Sequence, residues 1–114
     1  MGVAYYANYF VWFEVGRCEL LRSFGHTYRD LETEGILLPV IEARCQFRDS
    51  ARYDDALEVA TTGVLLSPVR VEFRYDVTRR GDGASLAEGR TVHAAVDADG
   101  RPRRLPPDIQ TVLT

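Results

Sequence analysis

Glu14 is the one acid in the apolar and aromatic stretch Tyr9-Phe10-Val11-Trp12-Phe13-Glu14-Val15. A carboxylate in such company can serve as a nucleophile or general base, or it can be a structural group held by an ion pair. On a helical wheel it falls between Phe10, Arg17, Cys18 and Leu21. The sequence therefore predicts at least partial burial, and a buried charge needs partners. Arg17, one turn further on, is the expected one. Asn8, just ahead, has the side chain of a helix cap, whose oxygen accepts from the free N–H groups of a first turn. Positioning a water or a substrate is its other reading. The start of a helix also favours negative charge through those same N–H groups and the helix dipole.

The cations are of one kind: all 14 basic residues are Arg, and there is no Lys. That excludes a Schiff-base lysine and a P-loop lysine. Arg101, Arg103 and Arg104 cluster near the end of the chain, and Arg52 stands alone in a central loop. Guanidinium forks suit phosphate oxygens, and a solvated surface run is the alternative. His26 and His93 have no acid near them in sequence and stay outside the expected site. Cys18 and Cys45 lack metal-like spacing and are expected as reduced thiols, with nothing to activate Cys18 as a nucleophile. No metal cluster is expected.

These groups need elements to hold them. About Asn8 to Phe24 reads as a helix ended by Gly25, apolar nearly all round, and such a helix is expected to be buried on most sides. A short helical turn, Tyr28 to Glu34, ends at Gly35. Four strands follow. Ile41, Ala43, Cys45 and Phe47 alternate with Glu42, Arg44, Gln46 and Arg48. A second strand runs from about Ala56 to Leu66. In the third, Val69, Val71, Phe73, Tyr75 and Val77 face one way and Arg70, Glu72, Arg74, Asp76 and Thr78 the other. A fourth runs from about Leu86 to Val96. Period-two alternation places one face of each on a core. Turn signals at Ser67-Pro68, Gly81-Asp82-Gly83 and Asp99-Gly100 suit antiparallel connections. The tail from Arg101 to Thr114 reads as irregular. A long helix followed by an antiparallel sheet that curls round it is an α+β arrangement.

The remaining bounds are loose. A chain of 114 residues is expected to form one domain spanning 1–114. A net charge of −3 gives no reason to expect nucleic acid or an anionic membrane as partner. No apolar run reaches the length of a membrane span and no signal peptide is visible, so a cytoplasmic protein is expected.

The opening stretch also carries a motif. Gly2-Val3, Tyr5-Tyr6, Asn8-Tyr9, Trp12-Phe13 and Glu14-Val15-Gly16-Arg17 come in that order. The loop Ser50-Ala51-Arg52-Tyr53-Asp54-Asp55, the strand start Leu86-Ala87-Glu88-Gly89 and the tail Pro102-Arg103-Arg104-Leu105-Pro106 follow. Together they resemble the hotdog-fold acyl-CoA thioesterases, in particular the 4-hydroxybenzoyl-CoA thioesterase family and its Tol-Pal-associated relatives, over essentially the whole chain. The resemblance implies a hotdog fold, a long central helix wrapped by a curved antiparallel sheet. It implies an acyl-CoA substrate hydrolysed to free acid and CoA, no cofactor, and a homodimer or dimer of dimers with active sites between subunits.

It also implies roles. The backbone N–H of Tyr6 would be the oxyanion donor, and Arg103 matches a basic position in the family tail; beside it, Tyr5, Asn8, Arg52 and Arg104 are nominated by residue type to bind substrate. Tyr5 and Tyr6 equally suit aromatic packing at a subunit interface. The family's catalytic Asp, three residues before the Gly matched by Gly2, falls upstream of Met1, as does the family's first strand. Glu14 is then the acid to nominate, at the spacing from Tyr6 that another branch of hotdog thioesterases uses. Glu14 could instead orient that Asp or the loop before the helix, or form a structural ion pair. An acyl slot would draw on Phe10, Phe13 and Val40, which core packing explains as well. The alternative function is a non-catalytic hotdog protein that binds an acyl group or serves assembly. A hotdog dehydratase fits less well, because no His stands between Met1 and Arg17.

Overall fold

A computed structural model describes residues 8–52 and 54–113. Helix α1 spans Asn8–Ser23, α2 Tyr28–Thr33, and strands β1 to β4 Val40–Phe47, Leu57–Ser67, Arg70–Arg79 and Ser85–Ala94; α3 spans Pro107–Leu113. The strands form one antiparallel sheet in the order β1-β4-β3-β2. Among the described residues no helix is long and apolar enough to cross a membrane.

α1 ends as its sequence predicts. The Gly25 N–H donates to Arg22 O at 2.9 Å and the His26 N–H to Leu21 O at 3.0 Å, closing the last turn over Gly25. α2 opens on a capping box: Thr27 accepts from the Asp30 N–H while the Asp30 carboxylate accepts from the Thr27 N–H, each at 3.1 Å.

The face of the sheet toward α1 carries Val71, Phe73, Tyr75 and Val77 of β3 with Ala87, Gly89, Thr91 and His93 of β4. Phe13 is the knob of this interface, fully buried and stacked on Tyr75 at 4.3 Å with planes 11° apart. It lies over Gly89, where a Cβ would clash with Cζ and Cε2 of the Phe13 ring. The next turn of α1 meets β2 through Gly16, where a Cβ would strike the Thr61 hydroxyl. Helix and sheet approach this closely because two positions lack side chains.

Three expectations change. α1 is buried on one face only, through Tyr9, Phe13, Gly16, Arg17 and Leu21. Phe10, Val11 and Val15 are 41%, 55% and 51% exposed, because a single sheet can cover just one side of a helix. β1 alternates in sequence but lies at the sheet edge, with Val40, Ile41 and Phe47 about half exposed. The tail is not irregular throughout. Pro107 supplies a first helical residue, Asp108 an acid in the first turn, and Ile109 and Leu113 an i,i+4 apolar pair that buries itself on the sheet.

Candidate active site

The site expected from the sequence begins at the start of α1. Tyr5 and Tyr6 lie outside the described residues, as does Tyr53 of the central loop. Asn8 is the first described residue, exposed and already helical.

One residue further, Tyr9 is buried, its ring meeting Trp12 edge-on at 4.8 Å and Phe47 at 5.0 Å. Burial raises the phenol's pKa, partly opposed by a hydrogen bond from the Ala51 backbone. Ala51 is itself buried, beside the start of the helix.

Arg79 holds the loop around Ala51 from the sheet. Its Nε donates to Asp55 at 3.2 Å, Nη1 to Asp82 at 2.9 Å and Nη2 to the Ser50 carbonyl at 3.0 Å. Asp55 also accepts from the Arg52 N–H at 2.7 Å. That backbone bond, then Arg79, keeps the Asp55 carboxyl below the usual carboxylate range. The Ala84 N–H and Arg79 do the same for Asp82. The Arg52 backbone is thus fixed while its side chain stays exposed at this end of α1. Sequence reasoning missed Arg79. It falls just past the alternating stretch read for the third strand, and Asp55 lies 24 residues away.

Glu14 and Arg17 do not form the expected pair. Glu14 is exposed, on the same flank of α1 as Val11 and Val15. Arg17 points the other way, into the core. Its Nη1 donates to the Tyr75 hydroxyl at 3.1 Å and its Nε to the Tyr28 hydroxyl at 3.2 Å. Three residues separate Glu14 from Arg17, a spacing that permits contact, but the buried phenols capture the guanidinium first. Desolvation outweighs Arg17's help and raises the pKa of both tyrosines, so they stay neutral donors and acceptors.

Arg103 and Arg104 sit at the opposite end of α1. With Glu34, Ile36 and Gln110 they line a groove of about 550 Å³, and the Arg103 guanidinium lies over Gly35. The 16 residues of α1 separate them from the loop carrying Arg52 by about 24 Å of helix rise. Phe13 is core and closed to a ligand, whereas Phe10 and Val40 are exposed.

A larger groove, about 870 Å³, lies on the sheet face away from α1, where Arg44, Arg90 and Arg74 stand side by side on neighbouring strands. Glu42 and Glu72 bind these cations at 2.9–3.7 Å. Among the described residues no group of three or more His, Cys, Asp or Glu could hold a metal ion.

This arrangement, one long helix laid across a curved antiparallel sheet, is the hotdog thioesterase fold. The Thioesterase-like superfamily model matches residues 1–113, and the chain belongs to that family. YneP of Bacillus subtilis is 39% identical over 61 residues, which span 54% of this chain and 44% of that protein. The acyl-CoA thioester hydrolase YbgC of Escherichia coli O6:H1 is 28% identical over 95% of this chain and 81% of its own length. The crystal structure of a DHNA-CoA thioesterase from Staphylococcus aureus superposes with a TM-score of 0.85 at 31% identity, covering 92% of this chain and 70% of that one. Family and relatives together support thioesterase activity in general terms.

Proposed function

We propose that this chain hydrolyses an acyl-CoA thioester to the free acid and CoA, and that it stands nearest the 4-hydroxybenzoyl-CoA and Tol-Pal-associated thioesterases. The observation that carries the reading is the family match along the chain from residue 1 to residue 113, across the motif that opens α1. The first turn of α1 has no acidic side chain, so its positive end is left for an oxyanion. In this reading the backbone N–H of Tyr6 receives the oxyanion. Glu14 is the carboxylate that attacks the carbonyl or activates water.

From Asn8, where the described helix begins, to Glu14 is about 9 Å along the axis, too far for the start of α1 and Glu14 of one chain to grip one carbonyl. The reading therefore joins Glu14 to the oxyanion donor of a second copy. The exposed strip of Phe10, Val11 and Val15 around Glu14 is what a second copy would cover, and a homodimer or dimer of dimers follows. Covered in this way, Glu14 would be desolvated, which suits a general base. Tyr5 and Asn8 flank the acyl end. Arg52, Arg103 and Arg104 take CoA phosphates. Because one chain holds Arg52 and the Arg103–Arg104 pair a helix length apart, they serve different phosphates or different sites.

The test is a panel of aliphatic and aromatic acyl-CoAs with a thiol reagent, run on the natural full-length protein and its Glu14→Gln variant. CoA release that Glu14→Gln abolishes supports the reading. Release that survives Glu14→Gln unchanged removes Glu14 from the mechanism. No release from any thioester favours the acyl-binding alternative.

A further inference from the structure

The buried polar groups between α1 and the sheet are joined end to end. Arg17 Nη1 is 3.1 Å from the Tyr75 hydroxyl, and that hydroxyl is 2.6 Å from Thr91 Oγ1. Thr91 Oγ1 is 2.9 Å from His93 Nε2, and His93 Nδ1 is 2.9 Å from the Leu38 carbonyl. Arg17, Tyr75, Thr91 and His93 are 9%, 3%, 2% and 1% exposed, so water does not complete their bonding.

Both ends of this chain have a fixed sense. A guanidinium only donates and a carbonyl only accepts. His93 Nδ1 must therefore carry the hydrogen that reaches Leu38. In the neutral ring Nε2 is then bare and accepts from the Thr91 hydroxyl. Thr91 in turn accepts from Tyr75, and the Tyr75 oxygen accepts from Arg17. Four links hold four hydrogens, one each from Arg17, Tyr75, Thr91 and His93 Nδ1. A proton on Nε2 would be a fifth, and one hydroxyl hydrogen would be stranded in a dry interior, where an unmet donor is costly.

We infer that Tyr75, Thr91 and His93 form a one-way positioning relay that anchors Arg17, and with it helix α1, and that the relay closes only around neutral His93 in its Nδ1–H tautomer. The inference concerns the seating of α1 and stands whether or not the proposed reaction does. Each element packed on the ring agrees. α1 presents the cation Arg17, and α2 adds the phenol of Tyr28 behind it. β3 presents Tyr75, and the Phe73 ring edge-on at 5.3 Å. β1 places Val40 opposite His93, and the segment before β1 offers the Leu38 carbonyl. Desolvation, and then Arg17's charge, hold the ring's pKa below its ordinary value.

Nitrogen-15 NMR of the histidine rings in the whole protein tests this. The expected spectrum has His93 protonated at Nδ1 and bare at Nε2, opposite to the tautomer favoured by free histidine. A slowly exchanging Thr91 hydroxyl hydrogen should show a cross-peak to that ring, and the ring should stay neutral at about pH 6.5, where free histidine is half titrated. Thr91→Val should speed amide exchange in the Arg17–Leu21 turn about tenfold, the effect of one lost hydrogen bond, and Thr91→Ser should restore protection. An Nε2–H ring, a His93 midpoint near 6.5, or equal α1 exchange in the two Thr91 variants would overturn the relay.

Discussion

Gly89→Ala probes the closest contact between helix and sheet. Its new methyl would clash with Cζ and Cε2 of Phe13 and come to 3.0 Å from the Arg44 carbonyl. Phe13 has little room to retreat, because it is fully buried and stacked on Tyr75 at 4.3 Å. Overpacking of this kind costs about 1–3 kcal/mol. Stiffening the unfolded chain at a former glycine returns about 0.5–1 kcal/mol. The net expectation is a loss of about 1–2 kcal/mol. For a domain of this size that lowers Tm by about 4–8 °C, read by circular dichroism or calorimetry. Phe13→Leu should make room, so the double variant should be more stable than the sum of the singles predicts by at least about 1 kcal/mol. A Gly89→Ala protein that melts with the wild type, or a cycle without coupling, would refute the packing argument.

Stability should also fall with acid. The folded pKa of His93 lies below its unfolded value, so the unfolded chain takes up the proton first. The contribution is intact above about pH 6.5. It drops by about 1.4 kcal/mol per pH unit below that, until the folded pKa is reached, which urea melts at a series of pH values would detect. Glu14→Gln should leave the melting temperature near that of the wild type and cut turnover at least tenfold, whereas Glu19→Ala should change neither; a matched loss in both variants would disconnect Glu14 from the chemistry. Val15→Glu places a charge on the exposed strip of α1 and should shift sedimentation toward the monomer, and an unchanged sedimentation coefficient would move the subunit contact elsewhere.

Local signals carried most of the fold. Gly25 and Gly35 stop their helices, and each strand lies within a residue or two of where alternation puts it, because these features depend on neighbours in sequence. What failed was non-local. Arg17 reads as Glu14's partner on a wheel, yet its phenols come from positions 11 and 58 residues away. His26 has no acid beside it in sequence, and Asp108, 82 residues on, meets it at 2.7 Å. α3 hides in a Pro- and Arg-rich run because its apolar signal is just the Ile109–Leu113 pair. For the candidate site, an acid and basic clusters could be nominated by residue type. Their division between opposite ends of α1 was not legible, since nothing in a one-dimensional pattern says which end of a helix a distant loop will reach.

The small helix α3 has a consequence for anyone who trims this protein. Leu113 and Leu20 of α1 converge over Gly63 of β2, with the Phe73 ring just beneath. The residues of α3 act as a plug. A gene shortened to stop before Pro107 would leave a greasy slot along β2 that water enters and other polypeptides stick to. A fusion joined without a spacer after Leu113 would pull on the same plug, so added sequence is better placed behind a flexible linker.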